Sequence, residues 1–330
     1  MNAKTEKRTR LEQMIMGQPP DRPPVALWRH WPGDDQDAAA LAAAHLKWQR
    51  DYDWDLVKVS PASSFAIRDW GVQDEWQGHI EGTRTYTRRA VVEVEDWLRL
   101  RPLSPDQGML AVQLEALRLV KAGLSPGTPM LATIFSPLAQ ARNLAGDVRL
   151  LAHLRRQPDA VQQGLQTVTE TTLRYLEAAS ATGIDGIFYA IQHARYTHLS
   201  PAEYARYGRP YDVQLLAATS DLWLNMIHVH GEETFLEAVA DYPVQLINWH
   251  DRESGIDLRT GLALFTAAAC GGVSRWTLHQ EAPDAALAEA RDAWQQTAGR
   301  RWLLGAGCVI MTTTPTRNIR VLREFVERPQ

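Results

Sequence analysis

Cysteine is scarce in this chain of 330 residues: only Cys270 and Cys308 are present. No disulfide framework can therefore hold the fold. Long apolar runs are missing too. No stretch of about 18 apolar residues occurs, so no membrane-crossing helix is expected. The opening MNAKTEKRTRLEQ is basic, but no apolar segment follows it; no export signal is read, and the expected location is the cytoplasm. Charge of one sign is absent as well. Lys and Arg number 35 against 39 Asp and Glu, a formal net charge of −4. That argues against a polyanion such as nucleic acid as the main partner. No GxGxxG follows a first strand and no P-loop occurs, which weakens dinucleotide and NTPase readings. No internal repeat or low-complexity segment is evident.

What is present is an ordinary globular composition, 45% hydrophobic and 22% charged, with 21 Gly and 18 Pro. Such a chain buries a large core without staples. Short apolar, β-rich runs recur at 25–30, 56–60, 130–136, 184–190, 222–230, 244–251, 272–278 and 302–310. Most lack strict alternation, as parallel strands buried on both faces do. Amphipathic or Ala-rich segments separate most of them, for example around Leu110, Leu114, Leu117 and Val120. Eight strands alternating with helices predict an α/β fold, a single (β/α)8 TIM barrel spanning residues 1–330. The gap at 69–108 is long. Alternation over 84–94 reads as a β-hairpin, and the insertion between strands 2 and 3 is expected to be a lid over the barrel mouth.

Active sites of such barrels lie at the C-terminal ends of the strands. Six of the ten histidines (His30, His193, His228, His230, His250 and His279) fall at or near predicted ends. The sharpest local feature is His228-Val229-His230. Residues i and i+2 on a strand face the same side, so both imidazoles could reach one metal. Cys308 ends the last strand and could add a thiolate. Two His and one Cys with an open fourth position is a catalytic zinc set. The competing reading makes the histidines barrel hydrogen-bonders and Cys308 a small buried hydrophobe. Cys270, at a predicted helix end, reads as core.

A second polar cluster holds Asn248, His250, Asp251 and Glu253. His250 and Asp251 are candidate acid–base groups and Asn248 a candidate substrate contact, against the alternative of a polar loop bridged by Arg252. Arg29 could clamp a carboxylate bidentately or form a structural ion pair. Gln192 and His193 are candidate substrate contacts; ordinary loop polarity would also explain them.

Three stretches carry a family resemblance over nearly the whole chain: MIMGQPPDRPPVALWR, IDGIFYAIQHARYTHLSPAEYARYGRPYD and LLGAGCVIMTTTPTRNIRVLREFV. They resemble the uroporphyrinogen decarboxylase superfamily, which implies a (β/α)8 barrel. The departures are informative. True decarboxylases carry a Phe-Ser-Asp segment after the second strand, where VKVSPASSFAIR has no acid until Asp69. Arg29 is kept, but Gly33 stands at the second arginine. FSPLAQARNLAG lacks the family's tyrosine, and Leu304-Gly305-Ala306-Gly307 replaces Leu-Gly-His-Gly. The groups for decarboxylating a many-carboxylate tetrapyrrole are thus missing.

The chain is more similar to the corrinoid-linked methyltransferase branch. Its zinc motif is His-x-Cys after the fifth strand and a Gly-Cys step in the last. His228 and Cys308 match, and His230 replaces the middle Cys. The resemblance implies zinc on His228, His230 and Cys308, a corrinoid or small methylated compound as methyl donor, and a metal-activated acceptor. The exchange of Cys for His makes the ligand set more positive by about one charge, favouring activation of a thiol or water. Expected partners are a small-molecule substrate, a corrinoid protein and a second copy in a homodimer, without nucleic acid or membrane. Two further readings are a decarboxylase acting on a uroporphyrinogen-like or smaller carboxylated substrate, and a non-catalytic barrel that binds a tetrapyrrole or corrinoid.

Overall fold

A computed structural model of the chain describes residues 6–328. Strands β1 (Val57–Val59), β4 (Met130–Phe135), β5 (Gly186–Ile191), β6 (Met226–Val229), β7 (Leu246–Trp249), β8 (Ala268–Val273) and β9 (Trp302–Ala306) form one parallel sheet. Each pairs with the next in chain order. Helices between them cover the outside, so every residue of these strands is buried. That explains their continuous apolar runs. The fold is α/β with a curled parallel sheet. Among the described residues no helix is long and apolar enough to cross a membrane.

The first predicted strand, 25–30, is only an extended segment with a single bridge, Val25 to Leu304. Pro23 and Pro24 lack N–H donors and cannot extend a ladder. The segment still touches both edges of the sheet. Ala26 N donates to Leu304 O at 3.0 Å, and Asp55 N, just before β1, donates to Val25 O at 3.0 Å.

The seventh predicted strand was displaced. The strand is β8, and 275–280 is a helix whose start Ser274 caps by accepting from Trp276 and Thr277 N–H. Gly271-Gly272 lies inside β8. A Cβ on Gly271 would sit 2.6 Å from Asp251 Oδ1, and Gly272 has φ +117°. Cys270, expected at a helix end, is instead fully buried in this strand.

In the insertion, a two-stranded antiparallel pair joins β2 (Gln73–Glu75) to β3 (Thr85–Arg88). The predicted hairpin at 84–94 therefore supplies only its second strand. Its remainder turns into the helix Val94–Arg99, entered through a capping box of Glu93 and Asp96.

Candidate functional site

The register of β6 against β7 builds the centre of the site. His228 pairs with Asn248 and Val229 with Trp249. Parallel partners point to the same face, so continuing one step sets His230 beside His250. Gly307 brings Cys308 in from the end of β9. A Cβ there would lie 2.8 Å from Trp249 O and 2.9 Å from His250 Cα, so only glycine allows this approach.

His228, His230, His250 and Cys308 thus converge, with one ligand atom of each within 4.8 Å of all the others. His230 Nδ1 lies 3.4 Å from His228 Nε2 and 3.2 Å from His250 Nε2. Cys308 Sγ is 3.6 Å from His228 Nε2 and 3.7 Å from His230 Nδ1. His228, His250 and Cys308 are buried, and His230 is half-buried.

The rings are oriented from behind. Asn248, fully buried, donates from Nδ2 to Cys270 O at 2.8 Å and to Ala306 O at 3.0 Å. Both its amide hydrogens are committed, so its oxygen must accept. His228 Nδ1, 2.6 Å from that oxygen, carries the proton. The lone pair is then on Nε2, facing the cluster. His250 Nδ1 lies 3.3 Å from Glu253 Oε2, which likewise turns Nε2 inward.

Charge in the cluster is uneven. Burial pushes the Cys308 thiol up, but its imidazole neighbours His228, His230 and His250 outweigh burial and hold it well below its ordinary value. Burial likewise pulls His250 down, yet Cys308 and Glu253 overrule it and raise it to about 9. His230 is taken by burial to about 4. The protein alone therefore favours a thiolate beside one imidazolium, with neutral His230.

The cluster opens onto a cavity of about 520 Å³, which His228, His230 and Cys308 line together with Trp28, His30, Lys58, Phe188 and Gln192. The insertion forms one wall, with His79, Glu81, Arg84, Tyr86 and Arg89 among its lining residues. Phe188 stacks on His228 at 5.3 Å between ring centroids, and Lys58 Nζ sits 4.6 Å from the centroid of the same Phe188 ring. Burial lowers Lys58 to about 7, and its side-chain partner is Ser60 Oγ at 3.0 Å. His30 Nδ1 bonds the Glu81 carbonyl at 2.8 Å. Arg142 reaches Gln192 Oε1 at 3.4 Å.

The sequence-predicted residues fall into three groups. His228, His230 and Cys308 meet, as does His250, which was expected as an acid–base group and stands among the potential ligands. Asn248 and Gln192 are at the site, Asn248 behind His228 and Gln192 on the cavity wall. Arg29, His193 and Asp251 do not line the cavity. Arg29 stacks on Trp31 at 4.5 Å and donates to Thr312 O at 2.7 Å. His193 is buried with neither ring nitrogen bonded. Asp251 is buried beneath the sheet end, where Oδ2 accepts from Gly272 N at 3.0 Å. His279 and Thr277 lie on the helix after β8. Lys58 and Arg275 were not singled out, and Glu253 stood only as a member of the second polar cluster. A lone lysine inside the apolar run Val57-Lys58-Val59 was the available signal for the first.

Known proteins share this arrangement of chain. A methyltransferase structure from Methanosarcina mazei superposes with TM-score 0.81 at 20% identity, covering 97% of this chain and 99% of that one. A B12-independent methionine synthase from a Shewanella species gives TM-score 0.60 at 13% identity, with 93% of each chain covered. In sequence, a methylcobamide:CoM methyltransferase MtbA from Methanosarcina mazei is 21% identical over 336 residues, 96% of each chain. A uroporphyrinogen decarboxylase from Syntrophotalea carbinolica is 28% identical over 253 residues, 73% of this chain and 70% of its own. The uroporphyrinogen decarboxylase (URO-D) family profile matches residues 6–329, and the chain belongs to that family.

Proposed function

We propose that this protein is a metal-dependent methyltransferase, built as one (β/α)8 domain whose first barrel position is filled by the extended segment at 25–30. His228, His230 and Cys308 would hold zinc, with His250 as a fourth donor. The observation that carries this reading is the convergence of three imidazole nitrogens and the Cys308 sulfur within 4.8 Å. The donor set fits the metal: one soft thiolate and neutral imidazoles suit zinc. Zinc there would supply Lewis acidity, lowering the pKa of an acceptor thiol or water.

The chain's own residues do the rest. Asn248 fixes the His228 tautomer. Glu253 orients His250 and stabilises it when protonated, so His250 can either bind or hold a proton at Nε2. Loading the site displaces that proton. Trp28 and Phe188 exclude water from one side of the cavity. Lys58, with Arg89 and Arg142 further along the wall, favours an acceptor with an anionic end. The insertion at 69–108 is read as a lid because its residues wall the cavity. A corrinoid or small methylated compound is the proposed donor, and a corrinoid protein the proposed partner, in keeping with the MtbA relatives.

The cationic wall also suits a carboxylated substrate, which keeps a decarboxylase reading as the alternative. Its designated clamp, Arg29, is outside the cavity, so it would have to use Lys58 or Arg89. The deciding experiment is elemental mass spectrometry on protein purified without chelator, wild type and Cys308→Ala. About one zinc per chain, lost in the variant, supports the proposal. Wild type without stoichiometric metal refutes it.

A further inference from the structure

We infer that Arg275 is a positioning residue which couples the hairpin insertion to the donor cluster through Glu253 and His250. The inference rests on the proposed metal site only for its consequence, and on geometry for the coupling itself.

The two oriented histidines differ in what stands behind them. Asn248 holds His228 and is itself anchored on carbonyls of β8 and β9, so that ring is set by the sheet. Glu253 holds His250 and is anchored by Arg275, with Nε 3.3 Å from Oε1 and Nη2 3.4 Å from Oε2. Arg275 Nη1 then reaches Glu81 Oε1 in the insertion at 2.6 Å. The guanidinium is 9% exposed, Glu253 15% and Glu81 19%, so solvent screens these contacts weakly. One ligand is thus oriented by a chain of charges ending in a separate structural element.

Arg275 is placed where local forces do not favour it. It occupies the first turn of the helix 275–280, where unpaired N–H groups disfavour a cation. The two carboxylates it bridges account for its presence there. The insertion is seated beside this contact through its own carbonyls as well: the His30 ring Nδ1 on Glu81 O, and Thr312 N donating to Ile80 O, each at 2.8 Å. With the loop seated, Glu81 and Glu253 share one cation. With the loop lifted, Arg275 keeps Glu253 but loses the carboxylate that fixes its Nη1, so the guanidinium and the Glu253–His250 pair it orients are held less firmly; with Arg275 removed, Glu253 loses its anchor and the His250 ring its fixed direction. The fourth donor position is then free for an incoming acceptor.

The test uses full-length protein and two independent readouts. The first is the visible spectrum of cobalt(II)-loaded protein, with zinc affinity by chelator competition, for wild type, Glu81→Gln, Arg275→Met and Arg275→Lys. Glu81 touches none of the four ligands, so a merely structural role would leave the spectrum alone. The expected result is altered cobalt band intensity in Glu81→Gln and Arg275→Met, about tenfold weaker zinc binding, and partial return in Arg275→Lys. The second is hydrogen exchange of residues 76–84 in metal-free Glu253→Gln, where loss of protection is expected. Wild-type spectra in both variants together with unchanged exchange overturn the coupling. A wild type that binds no cobalt, with exchange still accelerated in Glu253→Gln, overturns the metal reading and leaves the coupling standing.

Discussion

Asn248→Ala tests whether the His228 tautomer is set by a single amide. The substitution strands three buried groups: the Cys270 and Ala306 carbonyls and His228 Nδ1–H. Each unsatisfied buried group costs about 1–3 kcal/mol, and neighbours are not additive, so about 3–6 kcal/mol is expected. At about 2.1 cal/mol/K per residue, the 330 residues give an unfolding entropy near ~0.7 kcal/mol/K, so Tm should fall by about 4–9 °C. Zinc affinity should fall a further 10- to 100-fold, roughly, because the imidazole can then present the wrong nitrogen. Asn248→Asp separates the two effects. It keeps an acceptor beside Nδ1 but loses both amide donors, so stability should drop while zinc affinity holds. The assays are thermal unfolding of metal-free protein and zinc competition against a chromophoric chelator. If Asn248→Ala lowers Tm but leaves zinc affinity at the wild-type value, Asn248 is a pin between strands and the tautomer argument is wrong.

Gly307→Ala should push Cys308 away from the His250 backbone, since the new Cβ meets backbone atoms under 3.0 Å; about tenfold weaker zinc binding is expected by the same competition assay. Lys58→Met should stabilise the fold at pH 6 by about 2–4 kcal/mol in urea unfolding, because the native lysine prefers neutrality below its unfolded pKa. With the folded value at about 7, that gain should shrink as pH rises above 7 and vanish near the unfolded value, about 10.4. Retention of anionic ligands should weaken in the same variant. Asp212, buried and bonded by the hydroxyls of Tyr189, Tyr204 and Tyr242, is raised by burial to about 6. Its raised value makes the stabilising proton present below about pH 4 and lost through pH 6. Asp212→Asn should therefore gain about 2–3 kcal/mol on wild type between pH 4 and 7, and parallel pH curves for the two proteins would refute this.

The HxH motif and Cys308 were legible because a strand's period of two places i and i+2 on one face whatever the rest of the chain does. His250 was not legible as their neighbour. Its place depends on the β6–β7 register, a 20-residue offset between His228 and Asn248 that no local pattern encodes. The same offset explains Asn248, which reads in sequence as a substrate contact and is a buried strand residue behind His228. The error at 272–278 has a different origin. Val273-Ser274-Arg275-Trp276-Thr277 has the composition of a strand, yet the Ser274 hydroxyl starts a helix there, and local hydrogen bonding prevails over propensity. Arg29 read as a carboxylate clamp and Asp251 as an acid–base group because both are charged residues near strand ends. Neither lines the cavity: Arg29 alternates with Trp28 and His30, which do, and Asp251 lies in the turn after β7 with its carboxylate on Gly272 N–H.

That register has a chemical consequence. Had His250 been remote, the site would be two imidazoles and a thiolate with a permanently open position. With His250 at 3.2 Å from His230, four potential donors converge, and a tetrahedral metal bound there would be filled by protein. A filled site is inert toward an acceptor unless one donor can leave. His228 and its Asn248 anchor belong to the sheet, and Cys308 is wedged by Gly307 against the β7 end. His250 is held by a carboxylate whose own anchor reaches into the insertion, and it is the imidazole raised to about 9. Of the two imidazoles held from behind, His228 and His250, it would therefore be the one that a proton and an opened insertion release more readily. His250→Ala should then leave zinc bound, with affinity reduced by about tenfold, while Cys308→Ala abolishes binding. If the two variants lose zinc equally, all four donors are structural and the catalytic reading of this site fails.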